Sequence, residues 1–163
     1  MLLTAAPARA YEDKLTVGVE AGYAAVVVES DLPTHGFALG LASSIGLDDI
    51  WSVRAHVAWA YHPGSRDLHV GILGAEILYL VDIVQLVPFF GAGIDLLGTV
   101  FDGTAGIEAG VHIVLGLEYL LSRDALVAFE VRPHFLPLAI VEDGRLDPIY
   151  ITAGVRGSLL FDI

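Results

Sequence analysis

Hydrophobic and polar positions alternate along most of this chain. In IWSVRAHVAWAYHP (50–63), Trp51, Val53, Ala55, Val57, Trp59 and Tyr61 form one set, and Ser52, Arg54, His56, Ala58, Ala60 and His62 form the other. Successive side chains of a strand point to opposite faces, so this period of two predicts a β-strand with one apolar face. The same period recurs at 15–27, 37–42, 68–80, 86–97, 106–119, 125–135 and 149–161, which makes eight strands. Turn-forming clusters separate them: Asp31-Leu32-Pro33-Thr34, Gly46-Leu47-Asp48-Asp49, 63–67, Asp102-Gly103-Thr104, Ser122-Arg123-Asp124 and Glu142-Asp143-Gly144-Arg145. The segment Leu78 to Pro88 is apolar on both faces, and its turn near Asp82 is poorly marked. Most runs have the roughly 9–11 residues or more that a tilted membrane strand needs. Soluble strands average nearer about five or six.

Alternation alone does not say which face is wet. In a soluble lipocalin-type barrel the apolar set would line a cavity for an apolar ligand. In a membrane barrel it would face lipid. The second face is mostly glycine and other small residues, with sparse charges: Glu20, Arg54, Glu76, Asp95, Glu108, Glu118, Glu130, Arg132 and Arg156. It lacks the many Lys and Glu residues of a water-facing surface and suits the crowded interior of a narrow barrel. The expected fold is therefore all-β: an eight-stranded antiparallel up-and-down transmembrane β-barrel. With the N-terminus on the periplasmic side, Trp51, Tyr79, Tyr119 and Phe161 fall near the inner rim. Phe37, Trp59, Tyr61 and Phe135 fall near the outer rim. Two such bands are what interfacial aromatic girdles require.

Composition supports this choice. Of the 163 residues, 55% are hydrophobic and 17% charged, against about 25% charged in typical soluble domains. Yet the longest charge-free window, Leu32 to Leu47, has 16 residues, short of the roughly 20 of a spanning helix. The net charge of -12 argues against nucleic acid as a partner. The absence of cysteine excludes thiol chemistry and disulfides. MLLTAAPARA (1–10) reads as a signal-peptide remnant, with Ala8-Arg9-Ala10 in the small-x-small pattern before a cleavage point. The barrel domain is then 11–163.

The stretch GAEILYLVDIVQLVPFFGAGI (74–94) is similar to one recurring in small Gram-negative barrel proteins. GVRGSLLF (154–161) resembles the terminal strand signal read by the barrel-assembly machinery; such strands usually end in an aromatic residue, and here Phe161 is followed by Asp162-Ile163. With the eight-strand architecture over 14–163, the chain resembles the outer-membrane β-barrels of the OmpA/OmpX type. The resemblance implies a monomer in the Gram-negative outer membrane, in contact with the bilayer and lipopolysaccharide and inserted by that machinery.

Inside such a barrel, Arg54 is expected near Glu76, Glu20 near Arg156, and Asp95, Glu108 and Arg132 together toward the outer end. A salt-bridged plug is the favoured reading. The alternative is a narrow, cation-preferring pore, because six inward acids outnumber three arginines. His56, His112 and His134 also point inward, but no close spacing such as HExxH marks a metal site, so neither metal nor cofactor is expected. No enzyme is expected either: a barrel that modifies lipid A would need a serine with a histidine, and neither Ser52 nor Ser158 has such a motif. Glu29, Asp31 and the acidic run 142–147 read as solvated turns, with cation sharing with lipopolysaccharide as the alternative. Leu136 to Val141 reads as an exposed apolar segment.

Overall fold

The computed structural model describes residues 11, 13–27, 32–81, 85–137 and 149–163. The proposed cleavage point, Glu29, Asp31, Asp82 and the acidic run 142–147 lie outside them. The described residues form eight strands: β1 (Lys14–Val26), β2 (His35–Gly46), β3 (Trp51–His62), β4 (Leu68–Leu80), β5 (Leu86–Phe101), β6 (Thr104–Leu120), β7 (Ala125–Phe135) and β8 (Ile149–Asp162). Each pairs antiparallel with its sequence neighbours, and β1 pairs with β8 to close the barrel. No described helix is long and apolar enough to cross a membrane.

The register sets the stagger. Stepping from partner to partner, Thr16 leads through Ser44, Arg54, Glu76, Gly93, His112, His134 and Tyr150 back to β1 at Val26, ten residues on. A closed sheet with such a stagger tilts its strands about 40° from the barrel axis. Residues far apart in sequence therefore share one level, and strands of neighbouring hairpins rise stepwise along the axis.

β5 and β6 extend beyond the 86–97 and 106–119 that alternation marks. They meet in a two-residue turn with Phe101 opposite Thr104. Asp102 has φ 50° and Gly103 φ 72°. Positive φ at both central residues is the geometry whose twist suits a tight hairpin. Gly103→Ala is expected to cost about 1 kcal/mol, because a Cβ is disfavoured at that φ. Urea unfolding of the refolded barrel would read the loss.

One strand carries a local defect. Pro133 sits within β7, and the β6–β7 register passes from His112↔His134 to Leu115↔Val131 without the pairs between. Proline has no N–H to donate to the ladder.

The outward positions of the strands are apolar apart from His35, Ser43 and His69. Val19, Leu41, Val57, Leu73, Ile94, Ile113, Leu115, Phe129 and Val155 all stand exposed. No charged side chain breaks this surface between the rims among the described residues. An exposed apolar band round a whole barrel is far larger than the few hundred Å² found on soluble monomers. It is the surface that hydrocarbon covers. Trp51 and Tyr61 are ten residues apart on β3, which at about 3.3 Å per residue and this tilt spans about 25 Å of axis. That equals the height of an outer-membrane apolar band.

Candidate functional site

The inward face is built in three layers. At the inner rim, Leu78, Leu80, Val87, Phe89, Val114, Leu126, Ala128 and Leu160 form one buried apolar cluster, with Tyr11 packed into it from before β1. At the outer rim, Ala24, Val26, Ala60, Leu68, Val70, Ile72, Leu97, Leu136 and Tyr150 form a second. The charged residues lie mainly between them. This corrects the expectation of an interior of small residues and charges alone. It also explains why Leu78 to Pro88 is apolar on both faces: Leu78, Leu80, Val87 and Phe89 fill the lumen while Tyr79, Leu86 and Phe90 face out. Leu136, the first residue of the segment expected to be exposed, is buried in the outer cluster, and residues 138–141 of that segment lie outside the described residues.

The middle layer begins with three arginines. Arg54 pairs through Nε with Glu76, donates from Nη1 to Glu130 Oε2 at 2.9 Å, and lies over the Phe89 ring at 5.4 Å. Arg132 donates to Glu130 Oε1 at 2.5 Å and Glu76 Oε1 at 3.4 Å, and stands 3.9 Å from Glu20. Arg156 donates to Glu118 Oε1 at 2.6 Å and to Ser158 Oγ at 2.7 Å, and lies 3.8 Å from Glu20 across the β1–β8 seam. Tyr11 Oη donates to the other oxygen of Glu118 at 2.8 Å, tying the inner apolar layer to the ion pairs. All three arginines and Glu76, Glu118 and Glu130 are buried. Buried charge is tolerated only where partners replace lost hydration, and shared carboxylates do so here.

Above the arginines lies a second group. Asp95 on β5 accepts hydrogen bonds at one oxygen, Oδ2, from Nδ1 of His112 on β6 and Nδ1 of His134 on β7, both at 2.7 Å. His112 reaches Glu76 Oε2 through Nε2 at 2.8 Å, joining the two groups. His134 Nε2 is 3.3 Å from Thr152 Oγ1. His56 lies on the other side, with Nε2 3.5 Å from Asp95 Oδ1. Glycine makes the room: a Cβ at Gly74 would strike Asp95 Oδ1 and the His56 ring, and one at Gly93 would strike the His112 ring.

The sequence places Arg54 with Glu76 and Glu20 with Arg156, and these pairs meet. The expected trio of Asp95, Glu108 and Arg132 does not form. Arg132 turns to Glu130, Glu76 and Glu20, Asp95 turns to the histidines, and Glu108 is buried nearer the outer rim. Sequence spacing alone leaves the histidines apart, because their separation is 22 residues from His112 to His134 and the link between them is register. Inward parity together with the pairing His112↔His134 is the signal that finds them.

On the outside, Trp51, Tyr79, Tyr119 and Phe161 stand at one rim, with Trp51 and Tyr79 edge to face at 5.1 Å. Phe37, Trp59 and Tyr61 cluster at the other, Phe37 to Trp59 at 5.8 Å, joined by His69 at 5.8 Å from Trp59. Ser52 Oγ donates to the Ile45 carbonyl and Ser158 accepts from Arg156, so neither serine lies against a histidine.

A cavity of about 30 Å³ remains beside Glu20, His56, Glu130, Arg132 and Thr152. That is room for about two waters.

No family model matches the sequence, and no curated protein matches it either. Solved structures do match the fold. Neisserial surface protein A superposes with a TM-score of 0.70 at 13% identity, over 93% of this chain and 98% of that one. The outer membrane protein OprG from Pseudomonas aeruginosa gives 0.63 at 13%, over 95% and 100%. Ail of Yersinia pestis, in complex with the heparin analogue sucrose octasulfate, gives 0.58 at 12%, over 92% and 99%. The chain has the closed eight-stranded fold of these outer-membrane barrels.

Proposed function

We propose that this protein is an integral, monomeric barrel of the Gram-negative outer membrane whose closed interior serves a structural role. The observation that carries this reading is the filled lumen. Apolar layers lie at both ends of a buried ion-pair network, and the cavity beside Glu20, His56, Glu130, Arg132 and Thr152 has room for about two waters. A conducting pore needs a continuous wet path, and two dry layers interrupt one here. The apolar belt supports contact with the bilayer and lipopolysaccharide, and the aromatic rims suit its two interfaces. Insertion by the barrel-assembly machinery fits β8, with Phe161 near its end.

Protein refolded in detergent is expected to run faster unboiled than boiled on a gel, and to fractionate with the outer membrane. In planar bilayers it is expected to show no steady conductance. Discrete, cation-selective openings would overturn the closed reading in favour of a narrow pore, since six inward acids face three arginines. A freely soluble protein with no mobility shift would overturn the membrane assignment itself.

A further inference from the structure

We propose that the barrel interior holds a transition-metal site for a zinc-class divalent cation, with Asp95, His112 and His134 as ligands and His56 as the fourth. Ligand atoms of the first three lie within 4.8 Å of one another, and all three side chains are buried. They arrive on adjacent strands β5, β6 and β7, so the backbone ladder holds them together rather than a loop. Imidazole with a single carboxylate selects zinc and its neighbours over calcium or magnesium, which prefer oxygen donors throughout.

Three further observations point to an ion rather than a chance cluster. Both Nδ1 atoms aim at the same oxygen of Asp95, while each Nε2 is held from behind. Glu76 holds that of His112 at 2.8 Å, and Thr152 holds that of His134 at 3.3 Å. A ligand histidine anchored through its other nitrogen is the usual outer support of a metal site. Glu76 is itself held by Arg54 and Arg132. Second, His56 is buried at 3% exposure, faces the cluster, and neither ring nitrogen has a hydrogen-bond partner. The facing oxygen Asp95 Oδ1 also has none, 3.5 Å away. An ion bound by the Asp95 carboxylate would use both, with the two carboxylate oxygens sharing one tetrahedral corner. Third, the adjustment needed is small. A tetrahedral ion with ligands at about 2.0–2.1 Å sets its ligand atoms about 3.3 Å apart, whereas the two Nδ1 atoms now stand 2.7 Å from Asp95 Oδ2. The rings need to withdraw by about half an ångström, which a small side-chain rotation provides.

The test uses the full chain without a histidine tag, refolded in detergent, with Co2+ as the probe and Zn2+ as competitor. Co2+ is supplied either during refolding or afterwards, and free metal is removed. One equivalent of Co2+ per folded barrel is expected, with the strong visible absorption of a tetrahedral site, displaced by Zn2+. Uptake in the refolding arm alone also supports the site, since both ends of the lumen are sealed. His112→Gln and His134→Gln are expected to abolish the band. If these unfold the barrel on an unboiled gel, His56→Gln and Thr152→Val serve instead, because His56 stands 3.5 Å or more from its carboxylate neighbours and Thr152 pairs with no charged side chain. Thr152→Val, an outer support, is expected to weaken binding about 10–100-fold. His35→Gln with His69→Gln, both on the outer surface, is expected to change nothing. No bound metal in either arm, or binding lost only in the His35/His69 variant, would overturn the proposal.

Discussion

Val57→Arg is expected to destabilise the barrel in lipid by about 2–4 kcal/mol, the cost of a cation near the bilayer midplane. Val57 points outward, half exposed, between the Trp51 and Tyr61 rims of β3, and packs beside Leu41 and Leu73 in the register. The same change at Tyr61, at the outer rim, is expected to cost about 0–1 kcal/mol, because the side chain reaches headgroups and water there. Urea titrations in vesicles, followed by tryptophan emission, would give both values. The contrast between depths is the diagnostic quantity. In a water-exposed barrel, arginine at Val57 would be close to neutral, so equal small effects at both positions would remove lipid from the outer face.

Arg54→Ala is the second large effect, expected at about 3–5 kcal/mol, the cost of breaking a buried ion pair from one side. Its guanidinium serves Glu76 and Glu130 together and covers Phe89. Removal leaves two buried carboxylates short of a cation, with Arg132 shared between them, Arg156 3.7 Å from Glu130, and His112 on Glu76. Adding Glu76→Gln to Arg54→Ala is expected to cost clearly less than the sum of the single changes, since contacting groups couple. The unfolding midpoint and the fraction of fast-migrating species would report both. A loss below about 1 kcal/mol would match a solvated surface pair and would mean that the lumen is wet, which defeats the closed reading.

Strand alternation was legible from short-range pattern. The 50–63 stretch shows this best: the side assigned to each of Trp51, Arg54, His56 and Trp59 agrees with the burial found in the barrel. Strand ends were less legible. β5 and β6 run past their alternating cores to the Asp102-Gly103 turn, because the hairpin continues wherever its partner strand does. The two apolar layers were harder still. Ile72 and Leu97 share inward parity with Glu76 and Asp95, yet they belong to the outer apolar cluster, and that separation in depth depends on tilt.

A period of two encodes each residue's face and little more. The face follows from neighbours along the strand, so the number of strands, the uncharged outer belt and the inward set of charges are consequences of local backbone geometry. Which inward residues meet was settled only when the sheet closed. The ten-residue stagger around the ring brings Arg54, Glu76, His112, His134 and Tyr150 onto one rising line and delivers Asp95 to the histidines. Stagger is a property of all eight pairings at once, set by closure of the ring, and no single strand carries it.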